Sequence, residues 1–421
     1  MGNLVVSGGN PVGKLPVPKW PIFDEKEEKA IIEVLRSGKW AYQGPAEKEF
    51  EQAFSEYTGA KHALTVTNGT HTLKLLMEAF EIGPGDEVLV PAITWQATAA
   101  TVLDVNAVPI LIDVDETTFN IDPKAVEAAI TERTKAIVPV HLYGRMCDMD
   151  AIMDIAKRHN LIVIEDSAHQ HGSKWKGVNS GLIGHAGSFS LQGSKVLNTG
   201  EGGLIITNDD NIGDLMQSLR NCGRPAREGA NAMQSGNFRL TDFQSAIGVV
   251  QLSRLKEQDA TRAKNAVFFE ENISNIKGLK TLKQNPNVTF QTYYMVSFIY
   301  DKEEWGGASK WGFIGALQAE IAKAFHVGST YVPLHRSILY RPLSKKTHLL
   351  SDEYIKAIDT AKYKLPASDK VYDELAVNFG QQSLLMDETG NQMLLEILNK
   401  LWNNKDELRK FDKDYVHVYF D

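Results

Sequence analysis

Two parts of the sequence could bind charged groups. One has the residue types and spacing of an anion site, and the other ends in a carboxylate that could pair with a cationic ring. Thr67-Asn68-Gly69-Thr70 joins an apolar run to a helical pattern. A helix N-terminus with small residues and a hydroxyl is suited to bind phosphate, although an ordinary helix cap uses the same residues. Asp166 ends the apolar run from Leu161. A buried carboxylate there needs a cationic partner, and a protonated pyridine nitrogen is one.

Three further residues have the properties needed to act on such a ring. Lys195 follows an apolar strand pattern and precedes a glycine cluster, in a stretch poor in other charges. Desolvation there would lower the pKa of its amine and make it a nucleophile for a carbonyl, whereas a surface lysine is simply solvated. Ser190 precedes it and is suited to hold phosphate. Trp95 follows another strand pattern and either stacks on a planar ring or packs in the core.

Glu165 competes with Asp166 for the acidic role. Neighbouring side chains of a strand point to opposite faces, so only one of the two is expected to face the site. His141 is expected to be a structural hydrogen-bonding residue. In chain order, the candidates form a phosphate cradle, a stacking ring, an acidic partner and a nucleophilic lysine. Each signal is weak alone, but the set matches the chemistry of pyridoxal 5′-phosphate (PLP).

The elements that must position these residues alternate between strand and helix. Strands are predicted at His62–Thr67, Glu87–Val90, Val108–Val114, Lys135–Val140 and Leu161–Ile164. Helices are predicted at Thr70–Phe80, Trp95–Val105, Pro123–Ile130 and Met149–His159. This alternation predicts an α/β fold with a mostly parallel sheet flanked by helices, in which ligands bind beyond the carboxyl ends of the strands.

The pattern changes after Asp166. Strands at Ala186–Leu191 and Gly203–Thr207 are followed by a long helix at Asp242–Phe269. A composition change near residue 270 predicts a smaller C-terminal α+β domain, with a strand at Thr289–Tyr300 and a helix at Lys310–Phe325. The predicted organisation is an N-terminal leader and helix (1–40), a large α/β domain that binds PLP (41–270) and a small domain (271–421).

Charge and composition limit the partners. The chain has 421 residues, with 45 basic and 53 acidic side chains and a net charge of −8. This balance argues against a nucleic-acid or anionic-membrane partner. Two cysteines exclude a disulfide scaffold and a four-cysteine zinc site, and no metal site is predicted. Because no apolar run is long enough to span a membrane and no signal peptide is recognisable, a cytoplasmic protein is expected.

Ordered motifs along the chain match a known family. They are Thr67-Asn-Gly-Thr-His-Thr-Leu73, Gly83-Pro-Gly-Asp-Glu-Val88, Pro139-Val-His-Leu-Tyr-Gly144, Glu165-Asp-Ser-Ala-His169, Ser188-Phe-Ser190 with Lys195, Gly200-Glu-Gly-Gly203, Gly236-Asn-Phe-Arg-Leu240 and Pro333-Leu-His335. From about Trp20 to at least residue 345, the sequence resembles the DegT/DnrJ/EryC1/StrS family of sugar aminotransferases. These are PLP enzymes of fold type I.

The resemblance implies a role for each candidate at the cofactor ring. Lys195 is implied to hold PLP covalently and later to move the proton. Asp166 is implied to pair with the pyridine nitrogen, and Trp95 to cover the ring. His169 stands where many members have Gln. It is similar to the histidine of aminohydroxybenzoate synthases, which implies contact with a cofactor oxygen.

The resemblance also implies how the phosphate is held and that the protein is a homodimer. Gly69, Thr70 and Ser190 are implied to hold the phosphate within one subunit. Asn237 is implied to reach the phosphate in the neighbouring subunit's site, so the two active sites would be shared across the dimer.

Three positions point to the substrate. Gln192 and the segment from Tyr331 to His335 look like the branch that acts on keto-cyclitols and aminohydroxybenzoate, which includes 2-deoxy-scyllo-inosose aminotransferases. His335 either contacts substrate or packs its loop. Gly193-Ser194 departs from that branch and leaves the exact ketone open.

The expected activity is transfer of an amino group from glutamine or glutamate to a ring ketone, a keto-cyclitol. One alternative is a nucleotide-linked keto-sugar, for which Arg224, Arg239 and Arg336 are the candidate diphosphate ligands. A second is an aminohydroxybenzoate-type synthase or dehydratase. A non-catalytic PLP-binding sensor is the third, but it would show a damaged site or an added DNA-binding segment, and the sequence shows neither.

Overall fold

The computed structural model describes residues 3–230 and 232–417. Its helices are α1 Glu25–Ser37, α2 Pro45–Thr58, α3 Gly69–Ala79, α4 Ala97–Asp104, α5 Pro123–Ala128, α6 Met149–His159, α7 Asp210–Arg220, α8 Asp242–Ile273, α9 Lys310–Glu320, α10 Asp352–Ile358, α11 Pro366–Lys370, α12 Glu388–Asn403 and α13 Lys405–Asp414. The outer ends of the predicted leader and small domain, 1–2 and 418–421, lie outside the described residues.

The strands form separate sheets. They are β1 His62–Val66, β2 Glu87–Pro91, β3 Val108–Ile112, β4 Thr134–Ile137, β5 Ile162–Asp166, β6 Lys174–Trp175, β7 Val178–Asn179, β8 Ala186–Ser190, β9 Gly203–Thr207, β10 Leu279–Thr281, β11 Val288–Phe290, β12 Met295–Tyr300, β13 Val327–Gly328 and β14 Ala376–Gly380. In the described part of the chain, the main sheet has seven strands in the order β1-β9-β8-β5-β4-β2-β3.

The main sheet is mostly parallel, as predicted. The pairs β2–β3, β2–β4, β4–β5 and β5–β8 are all parallel. Strand β9 alone runs against its two neighbours, β1 and β8, because the chain returns from β8 through a turn without a crossover helix. The fold class is therefore confirmed as mixed α/β, with helices covering a central sheet.

The C-terminal half contains an antiparallel sheet. Its order is β10-β12-β14-β13, and α8, α9 and α12 cover it with buried apolar side chains. The predicted strand Thr289–Tyr300 is wrong as a single element. It is divided into β11, which pairs with β6, and β12, which pairs with β10 and β14. The residues between β11 and β12 turn the chain from one sheet to the other.

Helix α1 has a capping residue at each end. Asp24 accepts the Lys26 N–H and forms a reciprocal capping box with Glu27, while Gly38 ends the helix in the left-handed region at φ 67°. The segment before it is irregular apart from a short 3-10 turn, but it is packed rather than free. Leu4 and Leu15 are buried in the same cluster as α8, α9 and α12. The three-part domain division stays a prediction.

The topology brings four connections to one edge of the main sheet. The loops after β1, β2, β5 and β8 all leave the carboxyl ends of strands that run in one direction, and these loops contain the candidate residues. Trp95 lies in the loop before α4, two residues ahead of the observed helix start. Within the two described ranges, no helix has both the length and the apolar character that a membrane crossing needs.

Candidate active site

A cavity of about 530 Å³ opens at this edge of the sheet. Its walls include the following predicted site residues: Gly69, Thr70, Trp95, Asp166, His169, Ser190, Gln192, Lys195 and Tyr331. Asn237 and His335 are not among the lining residues. Loops that are far apart in the chain therefore bring together nine of the eleven positions that the sequence singled out.

One wall of the cavity is the start of α3. Asn68 caps this helix by accepting the His71 N–H at 2.9 Å. Gly69 packs so closely on Ser190 that an added Cβ would lie 2.8 Å from the Ser190 Cβ. The first-turn N–H groups of a helix have no intrahelical acceptor, and the dipole favours negative charge there. Backbone amides and the hydroxyls of Thr70 and Ser190 thus form an anion-binding surface.

Asp166 is a buried carboxylate at the end of β5, 7% exposed. Its oxygens accept hydrogen bonds from the Thr98 hydroxyl at 3.0 Å and from the Ala168 N–H at 3.2 Å. Burial raises the pKa of the carboxyl, and the two hydrogen bonds oppose that rise. No Lys, Arg or His of the described residues forms an ion pair with it. A cationic group in the cavity would complete its partners.

Glu165 faces away from the cavity and has a structural role. It accepts the N–H groups of Gly181, Ile183 and Gly184 and contacts His141 Nε2 at 2.9 Å. Its side chain is fully buried, and both carboxylate oxygens accept hydrogen bonds. Since neighbouring side chains on β5 point to opposite faces, Asp166 is the acid that faces the cavity. His141 also accepts the Cys147 N–H, so the expectation of a structural histidine is confirmed.

Lys195 stands on a turn after β8 and is 9% exposed. Its ammonium nitrogen lies 4.3 Å from the centroid of the Tyr294 ring. Burial lowers the pKa of the amine to about 8, while the charge of nearby Asp166 opposes that shift. The amine is therefore neutral more often near neutral pH than that of a solvated lysine, and the neutral form is a nucleophile and a proton acceptor.

Trp95 and Tyr331 both line the cavity, and their rings lie beside each other. Their ring centroids are 5.9 Å apart, and the Trp95 side chain is 44% exposed. An indole with this much free surface beside a cavity is available to cover a planar ligand.

His169 lies between two tyrosine rings. The Tyr143 ring is stacked on it at 5.4 Å and the Tyr294 ring at 4.3 Å. Its Nδ1 accepts the Tyr143 N–H at 3.2 Å, so the proton of the neutral ring is on Nε2, which lies 3.3 Å from the Tyr331 hydroxyl. Burial lowers the pKa of His169. The backbone of Tyr143 is in the left-handed region, with φ 55°.

Two predicted residues lie outside the cavity. His335 Nε2 is 3.2 Å from Asp369, and the histidine packs its loop there, so the substrate contact assigned to it has no support in this chain. Asn237 is exposed and accepts the Arg239 Nε–H at 2.8 Å. It does not line the cavity.

Sequence reasoning missed three residues that shape the site: Thr98, Tyr143 and Tyr294. Thr98 follows Trp95 by about one helical turn, and both residues line the cavity. That spacing was the available signal for Thr98, whose hydroxyl donates to Asp166. Tyr294 comes from the end of the segment before β12, so only the long-range packing of the C-terminal sheet places it under Lys195.

The cavity residues fit PLP. Gly69 lets the start of α3 pack directly on Ser190, so that the helix amides and the Ser190 hydroxyl lie together. A buried carboxylate without an ion-pair partner and a desolvated lysine line the same cavity. Together with the sheet order, this defines the class of fold type I transferases that use PLP. The family model for DegT/DnrJ/EryC1/StrS aminotransferases matches residues 21–375, and the chain belongs to that family. The protein is thus an aminotransferase.

Relatives of known function cover nearly the whole chain. The L-glutamine:2-deoxy-scyllo-inosose aminotransferase of Streptoalloteichus tenebrarius is 38% identical, over 97% of this chain and 99% of the relative. The L-glutamine:scyllo-inosose aminotransferase of Streptomyces griseus is 36% identical over the same shares. Among solved structures, 3-amino-5-hydroxybenzoic acid synthase superposes with a TM-score of 0.81 at 30% identity, covering 93% of this chain and all of that one.

Proposed function

We propose that this aminotransferase moves an amino group from L-glutamine or L-glutamate to the ketone of a free keto-cyclitol, such as scyllo-inosose or its 2-deoxy form. One observation carries the proposal. In the described residues, Lys195 is the only lysine or arginine that lines the cavity, and it is needed for the chemistry. This lining favours an acceptor without a diphosphate, and the names of the two aminotransferase relatives agree with this class of substrate.

The chain's own residues divide the work between holding and proton transfer. PLP, when bound, supplies an electron sink for the carbon that loses and gains a proton. Lys195 would hold the cofactor covalently, and its amine, when free, would carry the proton. Asp166 keeps a proton on the ring nitrogen through the interaction of its carboxylate with that cation. Trp95 covers one face of the ring and excludes water.

The arginines that would hold a nucleotide diphosphate are elsewhere. Arg336 forms ion pairs with Asp369 at 2.9 Å and Asp373 at 2.7 Å. Arg239 donates to Asn237 and Asn221. Neither these two nor Arg224 is among the lining residues. A dianionic diphosphate would enter this chain's cavity without a compensating cation and lose hydration, which is unfavourable.

Other polar groups that line the cavity suit a polyhydroxylated ring. Gln192 and Ser194 lie on the turn before Lys195, Glu201 is on the returning chain, and Tyr331 adds a phenol. Donors and acceptors at fixed positions recognise ring hydroxyls, and they penalise analogues that leave a buried group unpaired. We therefore place the cyclitol hydroxyls against these four side chains.

The substrate proposal is tested with paired acceptors. Purified enzyme with L-glutamine is offered scyllo-inosose, 2-deoxy-scyllo-inosose or a nucleotide-linked 4-keto-6-deoxy sugar, and aminated products are measured by mass spectrometry. We expect kcat/KM for a cyclitol to exceed that for the nucleotide sugar by at least ~10²-fold, because the cavity has no diphosphate ligand. Efficient amination of the nucleotide sugar without reaction of either cyclitol would contradict the proposal.

A second candidate activity is supported by one pair of observations. The chain superposes on 3-amino-5-hydroxybenzoic acid synthase. His169, which is similar to the histidine of aminohydroxybenzoate synthases, lines the cavity. An enzyme of that type would release an aromatic amino acid with strong ultraviolet absorption. Ultraviolet absorbance of a reaction with a cyclohexenone acceptor, run beside the cyclitol reactions, distinguishes the two activities, since an aminated cyclitol has no such band.

We also propose a homodimer with shared active sites. Asn237 is exposed in this chain and away from its cavity, while the cavity has a phosphate-binding wall built from amides and hydroxyls without a cation other than Lys195. A second subunit would supply the missing polar contact through Asn237.

Hybrid dimers test the shared site. An Asn237→Ala variant and a Lys195→Ala variant are each expected to be nearly inactive, whereas mixing them under subunit exchange restores up to about one quarter of the wild-type turnover per subunit pair, because one intact site forms in each hybrid. Sedimentation velocity reports the dimer directly. Full activity of a monomer, or no recovery on proven exchange, would refute the shared site.

A further inference from the structure

The turn that carries Lys195 is held from two distant parts of the chain. The Gly193 carbonyl accepts the indole N–H of Trp20 at 2.9 Å. The next carbonyl, at Ser194, accepts the side-chain amide of Gln381 at 2.8 Å. Resting on the proposed role of Lys195, we propose that Trp20 and Gln381 are positioning residues that clamp this turn and set the point from which the lysine amine reaches the cavity.

Trp20 is itself fixed independently of the turn. Its ring lies over the guanidinium of Arg262, with 5.2 Å between the guanidinium carbon and the ring centroid. Arg262 is fully buried on α8 and pairs with Asp259 at 2.9 Å. A cation above an indole face is attractive, and more so when it is desolvated. The indole N–H therefore presents a donor at a position that α8 determines.

Gln381 fixes the turn from the other side. It directly follows β14 and is 2% exposed, so its side chain has little freedom. The residue before it, Gly380, donates its N–H to the His326 carbonyl at 2.8 Å. The Gln381 amide therefore links the Lys195 turn to the C-terminal sheet.

The hydrogen bonds inside the turn, which centre on Gln192, close it locally but do not fix its position relative to α8 and the C-terminal sheet. The Lys195 N–H donates to the Gln192 carbonyl and the Gly193 N–H to the Gly200 carbonyl, both at 2.8 Å. A hydrogen bond also joins the hydroxyls of Ser194 and Tyr294 at 2.9 Å, next to the lysine side chain. A lysine that leaves and regains a covalent partner keeps its reach only if its backbone stays in place. A displacement of about 1 Å can cost ~10²-fold in rate.

Two mild substitutions remove the clamps singly. Trp20→Phe keeps a ring over Arg262 but has no N–H, and Gln381→Leu keeps the volume but has no amide. We expect each to lower kcat about 3- to 10-fold with KM for the acceptor changed less than about 2-fold, as the loss of one positioning hydrogen bond predicts. The double variant is expected to lose more than the product of the two effects, because both bonds hold one turn.

A readout at the lysine separates positioning from general stability. Cofactor-free enzyme is mixed with PLP, and the rate of borohydride-fixable attachment and the pH midpoint of the visible band are measured. Both are expected to change in Trp20→Phe and Gln381→Leu, with attachment at least about 3-fold slower. Melting temperatures of all variants verify folding.

Matched controls lose the same kind of bond elsewhere. Trp40→Phe removes an indole bond to the Leu35 carbonyl at 3.1 Å, and Gln318→Leu removes an amide bond to the Val327 carbonyl at 2.7 Å. Both controls are expected to keep wild-type attachment rate and pH midpoint. The clamp is overturned if the Trp20 and Gln381 variants match these controls. The role of Lys195 is tested separately, by peptide mapping of the borohydride label in the wild type.

Discussion

A Lys195→Ala variant is expected to fold normally, to bind PLP without covalent attachment and to lose at least ~10³-fold in turnover. The reason is that, in the proposed mechanism, one amine both anchors the cofactor and moves the proton, and a positioned acid–base group alone contributes about 10²–10⁴-fold. Borohydride reduction should fix the cofactor to one peptide in the wild type and to none in the variant. A visible band that cannot be fixed would accompany the loss.

The chain offers an internal control for this experiment. Lys310 is as buried as Lys195, and burial lowers its pKa too, but its amine bonds to the Ser329 hydroxyl and the Tyr372 carbonyl rather than facing the cavity. Desolvation alone would predict a label on both lysines. A label on the Lys310 peptide, or a Lys195→Ala variant with near-native turnover, would refute the assignment. Added methylamine is expected to restore part of the activity, because a small amine fits the vacated space.

Asp166→Asn is expected to retain PLP but to lose at least ~10²-fold in kcat. The amide cannot hold a proton on the ring nitrogen, and removal of one preorganised electrostatic group typically costs 10²–10³-fold. The measurement is single-turnover absorbance with glutamate, which isolates proton removal from product release. KM for the amino donor should change little.

Glu165→Gln is the matched control, since it makes the same chemical change one residue away on the opposite strand face. Its carboxylate supports three backbone N–H groups and His141, so we expect a lower melting temperature but kcat within a few-fold of wild type. Loss of a satisfied buried acceptor typically costs about 1–3 kcal/mol in the free energy of unfolding. A kcat loss in Glu165→Gln equal to that in Asp166→Asn would remove the distinction between the two acids.

Local patterns predicted the strands and helices that hold most of the cavity. Buried parallel strands are continuous apolar runs, and polar residues directly after them lie at one sheet edge by topology. The sequence alone therefore predicts that Gly69, Asp166 and Lys195 lie at one edge of the sheet, and all three line the cavity. The choice of Asp166 over Glu165 needed only the alternation of side chains along β5.

Long-range contacts were not predictable in the same way. A strand pattern has no direction, so the reversal of β9 was not visible in its residues. Tyr294 and Gln381 reach the lysine through the packing of a separate sheet. His335 had the right type and neighbourhood for a substrate contact, yet a carboxylate brought close by the fold, Asp369, turns it into loop packing.

The docking of the first residues has a consequence for how the protein is made. Leu4 is buried in the C-terminal cluster, and its N–H donates to Glu407 across a separation of 403 residues. A ribosome delivers Leu4 long before it delivers that partner, so the main sheet can form during synthesis while the C-terminal cluster must wait for the last helices. Until then its apolar side chains stay exposed to other nascent chains. The contact between Leu4 and Glu407 thus forms only after α13 is made, although Leu4 precedes its partner by 403 residues.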